Sequence, residues 1–213
     1  MNKKIAVLIY PAFSMWEISC LTDTLALCFD REIVVFASSR EPIKTEDGFS
    51  VLAGKTLDEF VTGEYECLIL PGTIDPLPAL FDEKIIGFLR GLKDQNILIA
   101  SISSSPMLLA KAGLLNGVAY TSGVWEEINR HFDFIPKEGN LHQPLVKDKN
   151  IITAIGFAFR EFAAETIRAL GLDWEGAFFE PVGRAYTKDE LTFEMGEKNF
   201  AEFLKELEPY ETE

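Results

Sequence analysis

One stretch constrains this chain more than any other: Asn96-Ile97-Leu98-Ile99-Ala100-Ser101-Ile102-Ser103-Ser104-Ser105-Pro106-Met107-Leu108-Leu109-Ala110. Its apolar run is short enough to be a buried strand, and the serines after it make a tight turn. Pro106 follows as the first helical residue, where its fixed φ and missing N–H cost nothing. A strand that stops abruptly and enters a helix lifts one side chain at the carboxyl end of a sheet. Such an elbow requires strands and helices layered together.

The rest of the chain repeats the alternation. Ile5 to Tyr10 is a short apolar run broken by Pro11, and Met15 to Phe29 carries apolar residues at helical spacing. Glu32 to Ala37 is a β-branched strand, and Ile43-Lys44-Thr45 and Phe49-Ser50-Val51 flank a turn as a small hairpin. Leu57 to Phe60 reads as a short helix, Cys67 to Leu70 as a strand closed by Pro71-Gly72, and Glu83 to Lys93 as a helix. The elbow strand spans Ile97 to Ile102, and its helix runs from Pro106 to Leu114, ended by Asn116-Gly117. Val118 to Thr121 is predicted as a strand and Val124 to Phe132 as a helix. Leu145 to Lys147 and Ile151 to Ala154 form a hairpin, and Phe157 to Leu170 an amphipathic helix. Strands alternating with helices predict a mainly parallel sheet covered on both faces, with ligands beyond the carboxyl ends of its strands. Sharp breaks fall at three such ends, after Tyr10, Leu70 and Ile102.

From Gly176 the composition changes, and Lys198 to Leu207 can form an acidic amphipathic helix. Residues 1–175 therefore read as one domain and 176–213 as a helical extension packed on it. A net charge of −14 disfavours nucleic acid and anionic membranes as partners. No apolar run approaches the roughly 18 residues of a membrane span, and the N-terminal run is too short for a signal peptide. Cys20, Cys28 and Cys67 lack metal-like spacing and suit a reducing compartment, so the chain is expected in the cytoplasm. With no H-x-x-x-H, no cysteine pairs and no glycine-rich phosphate loop, neither a metal nor a cofactor is expected.

Ser103 is the candidate nucleophile, a weak one without an adjacent base. The same serines also suit the cap of the helix starting at Pro106. Glu17, in the first turn after the first strand, belongs to Ser14-Met15-Trp16-Glu17, which fits a capping box. Set beside Trp16 and Met15 it also suits a desolvated carboxyl with a raised pKa. Gly72 lets backbone approach a ligand closely or simply turns the chain. All three lie at consecutive strand ends.

These residues resemble a known family. Ile102-Ser103-Ser104-Ser105-Pro106, with Leu108 through Gly117 after it, resembles the elbow of the ThiJ/PfpI superfamily. Leu70-Pro71-Gly72 resembles its LPGG turn, Pro11-Ala12-Phe13 through Glu17 its first loop, and Asn150 through Gly156 its N-I/L-I/V-T-A/S-x-G segment. The resemblance covers Ile5 to Leu170. It implies a flavodoxin-like three-layer sandwich related to class I glutamine amidotransferase domains, and a homodimer. It places Ser103 at the nucleophile position, Glu17 as its acidic partner, and Gly72 and Ser104, with Thr73 beside them, as oxyanion or ligand contacts. Two positions depart from the pattern. Ser103 stands where active members carry cysteine, and Gly123 stands where many carry histidine. Cys20, Trp125 and His142 are further candidates for the pocket wall, His142 as a substitute base. Each also has a plainer reading, as a buried thiol, a core ring and a surface-loop residue. Two functions lead, ahead of a purely dimeric interaction module that uses the acidic C-terminal segment. One is a hydrolase- or amidase-type enzyme, or a lyase, acting on a small carbonyl or amide through Ser103 and Glu17. The other is a small-molecule-binding or stress-related protein that keeps the pocket without the chemistry.

Overall fold

The computed structural model describes residues 4–172 and 184–211. The domain boundary expected at 175/176 lies outside the described residues. β1 (Lys4–Leu8), β2 (Glu32–Ala37), β5 (Lys55–Thr56), β6 (Tyr65–Leu70), β7 (Leu98–Ile102), β8 (Leu145–Asp148) and β9 (Ile151–Ala154) form one sheet. Their order is β5-β2-β1-β6-β7-β9-β8, and all pairings are parallel except β8 with β9. β3 (Ile43–Lys44) and β4 (Ser50–Val51) form the expected hairpin. The flavodoxin-like α/β sandwich is thus present.

Strand order explains the layers. From β1 the chain crosses through α1 (Trp16–Phe29) to β2 on one side. From β6 it crosses through α3 (Glu83–Gly91) to β7 on the other. Right-handed crossovers in opposite directions put these helices on opposite faces. α1 packs with α6 (Phe159–Ala169), while α3 packs with α2 (Leu77–Leu80) and α4 (Pro106–Lys111). With both faces covered, the central strands are buried along their length: Ile5, Ala6 and Leu8 in β1 and Cys67 through Leu70 in β6 have no exposed surface. The carboxyl ends of β1, β6 and β7 meet where the crossovers diverge, which makes that edge a natural ligand site.

Four expectations need correction. Val118 to Thr121 is not a strand, because β8 already takes the open edge of β9. The segment instead pairs Tyr120 with Asn140 in a single bridge, and Thr121 N donates to Thr153 Oγ1 at 2.9 Å. Leu57–Glu59 is a single 3-10 turn, closed by Glu59 reaching back to Thr56. The elbow helix ends at Lys111, three residues early, because Gly113 adopts φ 78°. The tail helix is longer than predicted: α8 spans Gly196–Glu211 and follows α5 (Glu126–His131) and the short α7 (Lys188–Leu191). Leu207 of α8 is fully buried, and Phe200 and Tyr210 set their rings against His131 and Phe81. Among the described residues no helix is long and apolar enough to cross a membrane.

Candidate active site

The elbow after β7 puts Ser103 in the left-handed region at φ 65°, a conformation that costs an L-residue about 1–2 kcal/mol. Its backbone is fixed from both sides: its N–H donates to Ala154 O and its carbonyl accepts from Gly123 N, each at 2.7 Å. The neighbouring serines do not cap α4, which has no side-chain capping bond. Ser104 Oγ accepts from Thr73 N and donates to Thr73 O, both at 2.9 Å, and so clips the elbow to the turn after β6. Ser105 Oγ is buried among Ile102 O, Leu70 O and Ser101 Oγ at 2.7–3.0 Å. Ser103 alone is left facing outward.

Glu17 does not cap α1 either. Ser14 Oγ donates to Glu46 Oε1 at 2.6 Å, and the Trp16 indole N–H donates to the same oxygen at 3.1 Å. Glu17 turns inward, where it is 6% exposed. Its Oε2 accepts from Gly72 N at 2.8 Å, and the Ser103 hydroxyl lies close enough to draw its pKa down. Burial pushes its pKa up to about 7, against the pull of the Ser103 hydroxyl and the Gly72 hydrogen bond, and the Glu46 carboxylate adds repulsion. A carboxyl at that pKa holds or releases a proton near neutrality, as a general acid–base partner must.

Glycines make room for this pair. A Cβ on Gly72 would lie 2.3 Å from Glu17 Oε2 and 2.5 Å from Ser103 Cβ. One on Gly156 would lie 2.5 Å from Glu17 Oε1, and one on Gly123 would lie 3.3 Å from Ser103 Cα. Gly156 was not singled out from the sequence as a site residue. Its signal was the strand end at Ala154, a fourth break matching the other three. Above the pair opens a cleft of about 130 Å³, walled by Trp16, Phe157 and Phe193.

Ser103, Glu17, Gly72 and Ser104 thus come together, with Thr73 held behind them by Ser104. Other candidates do not reach the cleft. Trp125 lines a neighbouring cavity of about 460 Å³, because the chain is extended between Gly123 and the start of α5. Cys20, one turn along α1, faces Arg160 and Asp23, and burial raises its thiol pKa. His142 lines a separate pocket with Tyr120 and Asn140, its Nδ1 3.8 Å from Glu126 Oε1. No local pattern marks Phe157 or Phe193 as cleft residues, and Phe193 arrives from the distant C-terminal segment. Among the described residues no three His, Cys, Asp or Glu side chains gather as a metal site.

Residues 3–169 match the DJ-1/PfpI family profile, which takes in both β7 and the elbow. The chain belongs to the DJ-1/PfpI family. Among family relatives it is 24% identical over 159 residues to Protein dj-1beta of Drosophila melanogaster, covering 73% of this chain and 82% of that one. It is 28% identical over 123 residues to protein/nucleic acid deglycase 2 of Escherichia coli, covering 57% and 72% of the two chains. A crystal structure of a DJ-1 superfamily protein from Agrobacterium tumefaciens superposes with a TM-score of 0.70 at 22% identity, covering 98% of this chain and 99% of that one. That likeness is one of fold.

Proposed function

We propose that this DJ-1/PfpI chain is a hydrolase-type enzyme whose Ser103 adds to a small carbonyl compound, with Glu17 as its proton partner. The observation that carries the reading is the juxtaposition of a left-handed, outward-facing Ser103 with the buried Glu17 carboxyl, both crowding Gly72 and Gly156, with the pKa of Glu17 raised to about 7. In the addition, Ser103 Oγ bonds to the carbonyl carbon and its proton passes to the ionised Glu17. The π pair moves onto oxygen, which takes that proton back to give a hemiacetal. Gly72 N–H is committed to Glu17, so stabilisation of the developing oxyanion falls to the Ser104 amide. A relative named as a deglycase supports chemistry of this class. Family resemblance adds a homodimer, and the free thiols of Cys20, Cys28 and Cys67 agree with a cytoplasmic setting.

A second reading, ligand binding without turnover, is favoured by one observation: glycine rather than an imidazole backs Ser103 at position 123. Labelling with a fluorophosphonate separates the two. Wild type should label and Ser103→Ala should not; equal labelling of both overturns the nucleophile. Glu17→Gln should label at least tenfold more slowly, on the order of a general base's contribution.

A further inference from the structure

The C-terminal segment 184–196 lies beyond the residues that match the family, yet it is bound across the mouth of the Ser103 cleft. At one end the Tyr186 hydroxyl sits 3.1 Å from Glu161 Oε2 and 3.3 Å from Phe157 O, beside the start of α6. At the other, Glu126 N donates to Phe193 O at 2.9 Å, and Gly196 N donates to Glu127 Oε1 at 3.2 Å, at the start of α5. Between these anchors the Phe193 ring stands 6.2 Å from that of Phe157 and forms a wall of the cleft. Phe193 also lines the cavity of about 460 Å³ next door, together with Trp125, Lys188, Asp189, Thr192 and Glu194. One side chain is therefore shared by two cavities, and only the smaller contains Ser103.

The volumes assign different tasks to the two. At about 130 Å³ the Ser103 cleft holds a carbonyl group and little more, roughly four water volumes. Sites that bury a whole small molecule occupy about 300–1,000 Å³, a range in which the outer cavity falls. Its walls pair two aromatic side chains, Trp125 and Phe193, with charged and hydroxyl groups. That combination suits a flat ring carrying polar substituents.

We propose that the 184–196 strap makes the Ser103 cleft the inner half of a two-chamber site, whose substrate is a small aldehyde or ketone bearing a polar aromatic ring. The carbonyl enters beside Ser103, and the ring rests between Trp125 and Phe193. This rests on the reading of Ser103 as the nucleophile.

Propanal and 4-hydroxyphenylacetaldehyde, each ¹³C-labelled at the carbonyl, test it through the hemiacetal resonance formed on the full-length protein. Wild type should bind the aryl aldehyde about tenfold more tightly than propanal, the gain expected from burying one ring. Thr192→Trp, which fills the outer chamber, and Trp125→Ala, which removes one of its walls, should each bring the ratio close to one. A wild-type ratio near one, or a ratio that neither variant moves, overturns the two-chamber site while leaving Ser103 chemistry standing. If neither aldehyde forms an adduct, it is the nucleophile that fails, and 4-hydroxyphenylethanol then decides the chamber. Saturation transfer to it that is lost in Thr192→Trp supports the outer chamber, and no transfer in wild type overturns it.

Discussion

Ser103 carries a β-carbon at φ 65°, and its backbone bonds to Ala154 and Gly123 hold it there. The strain comes from the β-carbon, so it should disappear with it. Ser103→Gly should unfold in urea at a free energy about 1 kcal/mol above Ser103→Ala, since both lose the hydroxyl and only alanine keeps the strain. Glu17 makes a second prediction at this scale. Its folded pKa of about 7 lies above the ordinary 4.5, so the folded state holds a proton that the unfolded state releases. Stability is therefore full below pH 4.5, falls between pH 4.5 and 7, and is flat above. The total loss is about 3 kcal/mol. Glu17→Gln should remove that slope from urea unfolding measured across the same range. Labelling of Ser103 should follow the opposite course, rising through pH 7 as Glu17 ionises.

At the scale of elements, the elbow and the turn after β6 are joined by one side chain. Ser104 Oγ serves both the N–H and the carbonyl of Thr73, as a neighbouring strand would. Ser104→Ala leaves both buried groups unpaired and should cost about 1–3 kcal/mol in thermal unfolding, while slowing Ser103 labelling because Gly72 and Glu17 lose their seat. The sequence reveals this neighbourhood unevenly. The breaks after Ile102 and Leu70 are legible because apolar runs meet proline, glycine or serine, and local chemistry alone decides where such strands end. The inward turn of Glu17 is only half legible, because the local pattern suits a desolvated carboxyl and a helix cap alike. The partner that draws Ser14 away from the cap is Glu46, 32 residues on. Val118 to Thr121 has the composition of a strand, but the edge of β9 beside it is already taken by β8. β5 and α2 leave no periodicity in the sequence for a simpler reason: Lys55–Thr56 is two residues long, and Leu77–Leu80 is a single turn containing Pro78.

At the scale of the whole molecule, the divergent crossovers collect the ends of β1, β6 and β7, and the C-terminal segment then closes over them. That closure depends on α8, which continues directly from the strap and anchors through Leu207. Leu207 is fully buried, whereas Lys205 two residues earlier is exposed. Leu207→Ala should cost about 2–5 kcal/mol, and Lys205→Ala close to nothing. We propose that the extension and the sheet form one cooperative domain, so the loss at Leu207 should lower a single melting transition rather than split it. Two resolved transitions in Leu207→Ala would mean that α8 undocks on its own. Phe193 would then leave the cleft with it, and protease cleavage within 184–196 would precede unfolding of the sheet. A single transition, with cleavage of the strap tracking global unfolding, would make the aromatic wall beside Ser103 as stable as the sheet beneath it.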